Sequence, residues 1–317
     1  MAKLRDASDD LFALVGAASE YLKIAQEFVE KDYWVTELLR STAKPVDDAI
    51  VIFKGGTSLS KAYGLIDRFS EDVDILVVPD RSFGKERVHR ILKHICARAG
   101  EDLAIAPENQ LDRGSETGIH RNVCYVYQAR LKPDVVTEGV LLEMGRRGGS
   151  FPRERRTLQS MIARYVTEGG AAGIDEYEEF ASFEIDVLAP ERTLVEKLAL
   201  LHRLGVNDEG RDLPRNGRHL YDVYRLLSDD TIAEKLRCDS GIVARLAADA
   251  DAQSLKWNLP FEPRPTNGFS SSPAFDPESA ASGFLREGFE AAGPLIYGTV
   301  PSFDECVQTV RGSAELL

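Results

Sequence analysis

Two aspartates set one residue apart in an apolar run, Asp72 and Asp74 in EDVDILVV, are the first residues that suggest chemistry. In a β-strand side chains alternate with period two, so both carboxylates point to one side and Val73 to the other. A buried carboxylate is costly without a partner, and two neighbours repel. A divalent cation offsets both costs. Mg2+, or Mn2+ in its place, favours carboxylate and phosphate oxygens. Two such ions can activate an attacking hydroxyl and stabilise a leaving pyrophosphate. The plainer reading is a pair of strand-end carboxylates in solvent, since Ser70–Glu71–Asp72 stands at the strand mouth.

Upstream lies Lys54-Gly55-Gly56-Thr57-Ser58. A glycine pair between a strand and a helix lets backbone N–H groups approach a phosphate, and the helix N-terminus favours its charge. Lys54 adds a point charge. This is not a Walker A loop, because the lysine precedes the glycines, and no third glycine completes a dinucleotide fingerprint. Taken alone it is equally a tight turn, with Thr57 or Ser58 as N-cap of a helix ending near Ile66. A further carboxylate, Glu143, lies in VLLEMG. It alternates against Val140, Leu142 and Met144 and so faces away from that apolar side; an exposed strand glutamate is the other reading.

Further on, Lys197 lies in an apolar helical stripe between Leu194 and Leu201 and must find an anion or snorkel outward. Asp222 follows Arg218 by four residues, the spacing of a helix-surface ion pair. His202 and His219 read as structural, and no Cys/His spacing of the zinc type occurs. Arginines cluster twice: Arg146, Arg147, Arg153, Arg155 and Arg156, then Arg203, Arg211, Arg215 and Arg218. Either cluster reads as solvated loop charge or as a track for phosphates.

The elements that must position these residues follow from periodicity. Apolar spacing predicts helix over 9–40, strand over 49–54, strand over 73–78 and helix over 85–99. Strands are expected over 122–131, 138–144 and 181–188. After Pro190 the pattern turns helical: 191–204, 218–227 and 240–256. Residues 258–283, rich in Pro, Ser and Gly, read as a long loop or a partly disordered segment. In EKDYWV, Glu30, Lys31 and Asp32 border the candidate site in one reading, while Tyr33–Trp34–Val35 packs in the core. The chain has 317 residues and a formal net charge of −13, from 39 Lys and Arg against 52 Asp and Glu. That charge argues against broad, non-specific nucleic-acid binding but not against a local basic site. Four scattered cysteines read as free thiols of a reducing cytosol. No apolar run is long enough for a bilayer span, and the start, MAKLRDASDD, has no apolar stretch of a secretory leader, so a cytoplasmic protein is expected.

The order glycine turn, short helix, Asp-x-Asp strand resembles the nucleotidyltransferase fold of the polymerase-β superfamily. More narrowly, FKGGTSLSKAYGLIDRFSEDVDIL resembles the AbiEii/AbiGii toxin family of nucleotidyltransferases. EKDYWV, ERTLVEKLALLH and RHLYDVYRLL agree with it in order, so the resemblance spans about residues 25–230. It implies an α+β fold: a polymerase-β-like nucleotidyltransferase domain with a mixed sheet over 1–188, then a mainly helical C-terminal domain over 189–317. It implies a toxin of a bacterial toxin–antitoxin or phage-defence pair. Such an enzyme would transfer NMP from an NTP to an RNA acceptor, with tRNA 3′ ends as the acceptor class.

On this reading Asp72, Asp74 and Glu143 hold metal. Lys54, Gly55, Gly56, Thr57 and Ser58 meet the NTP. By resemblance Lys197 holds the triphosphate and Asp222 belongs to the active site; whether it orients Lys197, contacts the acceptor or acts as base is left open. Arg146, Arg147, Arg153 and Arg218 would touch the acceptor. An antitoxin partner is implied, not necessarily in direct contact. The competing expectations are transfer to a protein or small-molecule hydroxyl, or a non-catalytic NTP-binding module.

Overall fold

The computed structural model describes residues 2–70, 72–131, 138–169 and 177–317; Glu71 of the strand mouth lies outside them. The chain divides into two compact units. The first comprises Met1–Ala62, Phe69–Arg146 and Arg153–Val187; the second comprises Tyr63–Arg68, Arg147–Pro152 and Leu188–Leu317.

The first unit opens with two helices, α1 (Ser8–Leu22) and α2 (Gln26–Ala43), where periodicity predicts one. The break is local. Lys23 takes a left-handed backbone, φ 59°, and its N–H and that of Ile24 both return to the Ser19 carbonyl, a left-handed helix stop. Along α2 every residue from Phe28 to Leu39 is buried, including four charged ones. Buried charges persist only with partners. Glu30 accepts the backbone N–H groups of Arg130 and Leu131 at 3.0 and 3.1 Å. The Lys31 ammonium donates to the Gly139 carbonyl. Asp32 accepts the Met161 N–H at 2.7 Å and pairs with Lys61. Glu37 pairs with Arg5 and Arg40 at 2.9 and 3.0 Å. The charged half of EKDYWV is therefore a brace within the first unit.

The sheet carries seven strands: β1 (Ala49–Lys54), β2 (Asp72–Pro79), β3 (Gln110–Glu116), β4 (His120–Tyr125), β5 (Val140–Gly145), β6 (Arg153–Leu158) and β7 (Phe183–Leu188). Their order is β3-β4-β5-β2-β1-β7-β6. β1 runs antiparallel to β2, β2 parallel to β5, β5 antiparallel to β4, and β1 parallel to β7, so the sheet is mixed. Helices α3 (Gly55–Lys61), α4 (Lys85–Asp102) and α5 (Met161–Glu168) complete the unit. α2 packs on β2 and β5, and α4 on β4. Ile52, Phe53, Val73 and Val77, all fully buried, form the sheet's core.

Two strands are invisible to periodicity. Gln110–Glu116 (QLDRGSE) is an exposed edge strand with no apolar alternation, so its pairing with β4 leaves no hydrophobic signal. Arg153–Leu158 (RERRTL) carries arginines where a half-buried strand would carry apolar residues. The glycine turn also differs from expectation. The helix starts at Gly55 itself, Lys54 precedes it without a side-chain cap, and it ends at Lys61 rather than near Ile66.

The second unit is helical: α6 (Pro190–Val206), α7 (Arg218–Leu227), α8 (Asp230–Cys238), α9 (Ile242–Lys256), α10 (Ala280–Ala291) and α11 (Phe303–Gly312). α6 packs against α7, α8, α9 and α10, which explains why its residues are buried nearly all round. Residues 258–283 form an ordered loop. It carries short helical turns at Phe269–Ser271 and Pro273–Phe275, and α10 begins within it at Ala280. Phe269, Ser272, Ala274 and Phe275 are fully buried there. Among the described residues no helix is long and apolar enough to cross a membrane.

Candidate active site

Strand register gathers the first-unit candidates into one row. Lys54 on β1 stands opposite Asp74 on β2, Asp74 opposite Glu143 on β5, and Glu143 opposite Asn122 on β4. Side chains directly opposite across a ladder share a face. Asp72 lies on the same face of β2, two residues earlier, while Val73 is fully buried on the other. Asn122 is the member that sequence reading missed. Its one signal is that it alternates against the buried Val123.

Gly55 meets the Asp74 carboxylate directly. Its φ is +81°, and a Cβ built there would overlap Asp74 Oδ2. Glycine is thus needed twice over, for its backbone and for the space the carboxylate occupies. Thr57 and Ser58 are buried, and their hydroxyls donate to carbonyls: Thr57 Oγ1 to Asp72 at 2.6 Å, Ser58 Oγ to Gly55 at 2.8 Å. Neither caps the helix. Thr57 instead ties α3 to the first residue of the Asp-x-Asp strand.

The charge of this row is unbalanced. Burial pushes the Glu143 carboxyl up to about 7, the negative charges of Asp74 and Asp72 push it the same way, a hydrogen bond with Asp74 adds to this, and Lys54 pulls it back. A carboxyl that keeps its proton to neutrality because it is buried and other carboxylates crowd it is where a divalent cation would relieve repulsion. The residues therefore fit a metal in donor type and charge. Among the described residues no group of three or more His, Cys, Asp or Glu side chains is placed so that it could by itself hold a metal ion.

The two later candidates, Lys197 and Asp222, belong to the second unit. Asp222 is fully buried, and its partner is not Arg218. Arg68 grips it with both prongs, Nε to Oδ1 and Nη2 to Oδ2, each at 2.6 Å. The Lys197 ammonium lies 2.7 Å from Oδ2 and 3.0 Å from His219 Nδ1. Burial alone would raise the Asp222 carboxyl, but Arg68 and Lys197 outweigh it and hold it well below the usual range. Burial, then the Lys197 charge, lower His219 to about 4, so the imidazole is neutral at pH 7 and its Nδ1 accepts from the lysine. Lys197 is buried rather than snorkelling. Arg68 is the residue that sequence reading missed here, because its partner is 154 positions away.

The expected acceptor arginines are divided. Arg153 and Arg155 in β6 pair with Asp186 of β7 at 3.4 and 3.3 Å, and Arg156 donates to the Ala62 carbonyl at 3.0 Å, all within the first unit. Those acid partners explain how an arginine-rich segment forms a strand. Arg146 belongs to the first unit, Arg147 and Arg218 to the second.

Comparison with known proteins adds the family. No curated protein matches the sequence. Among solved structures, MenT4, a nucleotidyltransferase toxin from Mycobacterium tuberculosis H37Rv, aligns with a TM-score of 0.50 at 18% identity, over 96% of this chain and 98% of that one. At that identity the likeness speaks for the fold. The sequence model described as nucleotidyl transferase AbiEii toxin, type IV toxin–antitoxin system, matches residues 37–309. That match spans both units and most of the chain, and the chain therefore belongs to the AbiEii family of nucleotidyltransferase toxins.

Proposed function

We propose that this nucleotidyltransferase toxin moves NMP from an NTP to the 3′ end of tRNA in the cytoplasm, so stopping translation as part of a phage-defence or toxin–antitoxin pair. The row Lys54, Asp74, Glu143 on one sheet face, with Asp72 beside it, is the observation that supports this most. On this reading the domain over 1–188 holds metal and nucleotide, and the domain over 189–317 contributes Lys197 and Asp222. Asp72 and Asp74, with Glu143, would hold Mg2+ or Mn2+. The metal, when bound, would lower the pKa of the attacking hydroxyl and neutralise the leaving pyrophosphate. The Gly55–Gly56 backbone lets the triphosphate approach closely. Lys54 and Lys197 balance charge that develops toward pyrophosphate. The acceptor oxygen attacks the α-phosphorus in line, its bond forming as the bond to pyrophosphate breaks, and the hydroxyl proton leaves to solvent or base. Arg146, Arg147, Arg153 and Arg218 contact acceptor phosphates. A cognate antitoxin restrains the enzyme.

The test is transfer of label from each of four α-³²P NTPs to total bacterial tRNA, with Asp72→Ala and Asp74→Ala alongside. Labelled tRNA with wild type only is expected. Transfer retained by either folded variant would sink the metal assignment. A second reading, transfer to a protein or small-molecule hydroxyl, draws on the net charge of −13 and on the pairing of Arg153 and Arg155 with Asp186. Label in lysate protein or small molecules but not in RNA would select it. Membership of a nucleotidyltransferase family speaks against a non-catalytic NTP-binding module.

A further inference from the structure

Arg68 is nearly fully buried and presents its guanidinium from a backbone pinned on both sides. The N–H groups of Tyr297 and Gly298 donate to the Asp67 carbonyl at 2.9 and 3.2 Å, the Asp67 N–H donates to Tyr221 Oη at 3.2 Å, and Arg68 itself bridges to Ile296. All these residues belong to the second unit. The guanidinium occupies both oxygens of Asp222, in the planar two-pronged match that arginine alone makes with a carboxylate. Lys197 reaches Oδ2 of the same carboxylate, and neutral His219 supports the ammonium from Nδ1.

Counted over Arg68, Lys197 and Asp222, with His219 neutral, two positive charges face one negative. Remove Arg68 and Lys197 would face Asp222 one to one, as a neutral pair with little pull on an anion. With Arg68 in place, the carboxylate still orients the lysine but does not cancel it. A buried carboxylate shared in this way also resists reorganisation, because leaving it with one partner raises the cost of its burial.

We propose that Arg68 is a positioning residue for nucleotide binding: its fork fixes Asp222, which aims Lys197, and its charge offsets Asp222 so that the Lys197 ammonium keeps its attraction for a triphosphate. This rests on the reading that Lys197 holds the triphosphate. The role differs from that of a fold clamp. A clamp needs only the ion pair, whereas a charge-balancing residue makes Arg68 and Asp222 compensate each other in nucleotide affinity.

The experiment is calorimetric titration of the full chain with the α,β-methylene analogues of the four NTPs and Mg2+. It uses wild type, Arg68→Gln, Arg68→Lys, Arg68→Gln/Asp222→Asn and Lys197→Gln, each checked for folding by circular dichroism and melting. Arg68→Gln is expected to weaken binding about tenfold, which is about 1.4 kcal/mol. Arg68→Lys, which keeps the charge and loses the fork, should weaken it about threefold, roughly 0.7 kcal/mol. The double variant should bind better than Arg68→Gln, because it removes one charge of each sign. Weak binding by Lys197→Gln with wild-type binding by folded Arg68→Gln overturns the proposal and leaves the Lys197 reading standing. So does a double variant no better than Arg68→Gln. Wild-type binding by Lys197→Gln overturns the Lys197 reading and the proposal with it. Should Arg68→Gln fail to fold, Arg68→Lys decides: wild-type affinity there refutes a positioning role.

Discussion

The Glu143 carboxyl supplies the sharpest test of the metal assignment. Burial and the neighbouring Asp74 and Asp72 raise it from its ordinary 4.5 to about 7. A metal that uses this oxygen must displace its proton. With a pKa near 7, the ionised fraction is roughly one eleventh at pH 6 and ten elevenths at pH 8, so metal affinity should fall about tenfold from pH 8 to pH 6, about 1.4 kcal/mol. His219, at about 4, stays neutral across that window and does not contribute. The assay is Mn2+ binding followed by electron paramagnetic resonance, at pH 6, 7 and 8, in wild type and Glu143→Gln. Wild type should show the tenfold dependence. Glu143→Gln should show little dependence and bind at pH 8 as weakly as wild type at pH 6. An equal slope in both proteins, or none in wild type, would refute the argument. The metal-free protein carries a matching signature of opposite sense to that of a salt-bridged carboxylate. A raised folded-state pKa gives stability that is complete below about 4.5 and is lost as pH rises through about 7. That loss should flatten in Glu143→Gln, read as melting temperature against pH in chelator.

Three further outcomes follow from specific contacts. Gly55→Ala must hold alanine at φ +81° and push the Asp74 carboxylate aside; about 1–2 kcal/mol of stability should be lost by denaturant titration, and transfer should fall about a hundredfold, so near-normal activity would mean Asp74 tolerates displacement. Thr57→Val keeps shape but removes the 2.6 Å hydrogen bond to the Asp72 carbonyl; a loss of about 1–2 kcal/mol is expected, and no change in melting would show that this tie is dispensable. Phe269→Ala opens a cavity at a fully buried ring that meets His202 edge-on, at 6.2 Å between centroids; a loss of about 3–5 kcal/mol and new proteolytic cleavage within 258–283 are expected, and an unaffected protein would restore the view of that segment as loose chain.

Strand β1 and helix α7 fall where periodicity put them, at Ala49–Lys54 and Arg218–Leu227, because each has a buried face written in its own short segment. β6 and β3 escaped, one because acids on the neighbouring strand satisfy its arginines, the other because an exposed edge needs no apolar side. Thr57 looked like a helix cap because capping residues are recognised by type and place. Its hydroxyl goes instead to Asp72, fifteen residues away. Asp222 and Arg218 had the spacing of a pair, yet a fully buried carboxylate requires a stronger and better-shaped partner than a helix neighbour, and the fold supplies Arg68.

What the sequence by itself determined is local. The period-two alternation that puts Asp72 and Asp74 on one side and turns Glu143 from the apolar side is a property of consecutive residues. So is the strand–glycine–helix order of the turn. What only the tertiary structure decided is register and partnership: that Lys54, Asp74, Glu143 and Asn122 share one row, and that Arg68 closes on Asp222. Those pairings depend on how distant segments bury their apolar faces together. A one-residue slip of register would move every side chain to the opposite face without changing any local pattern.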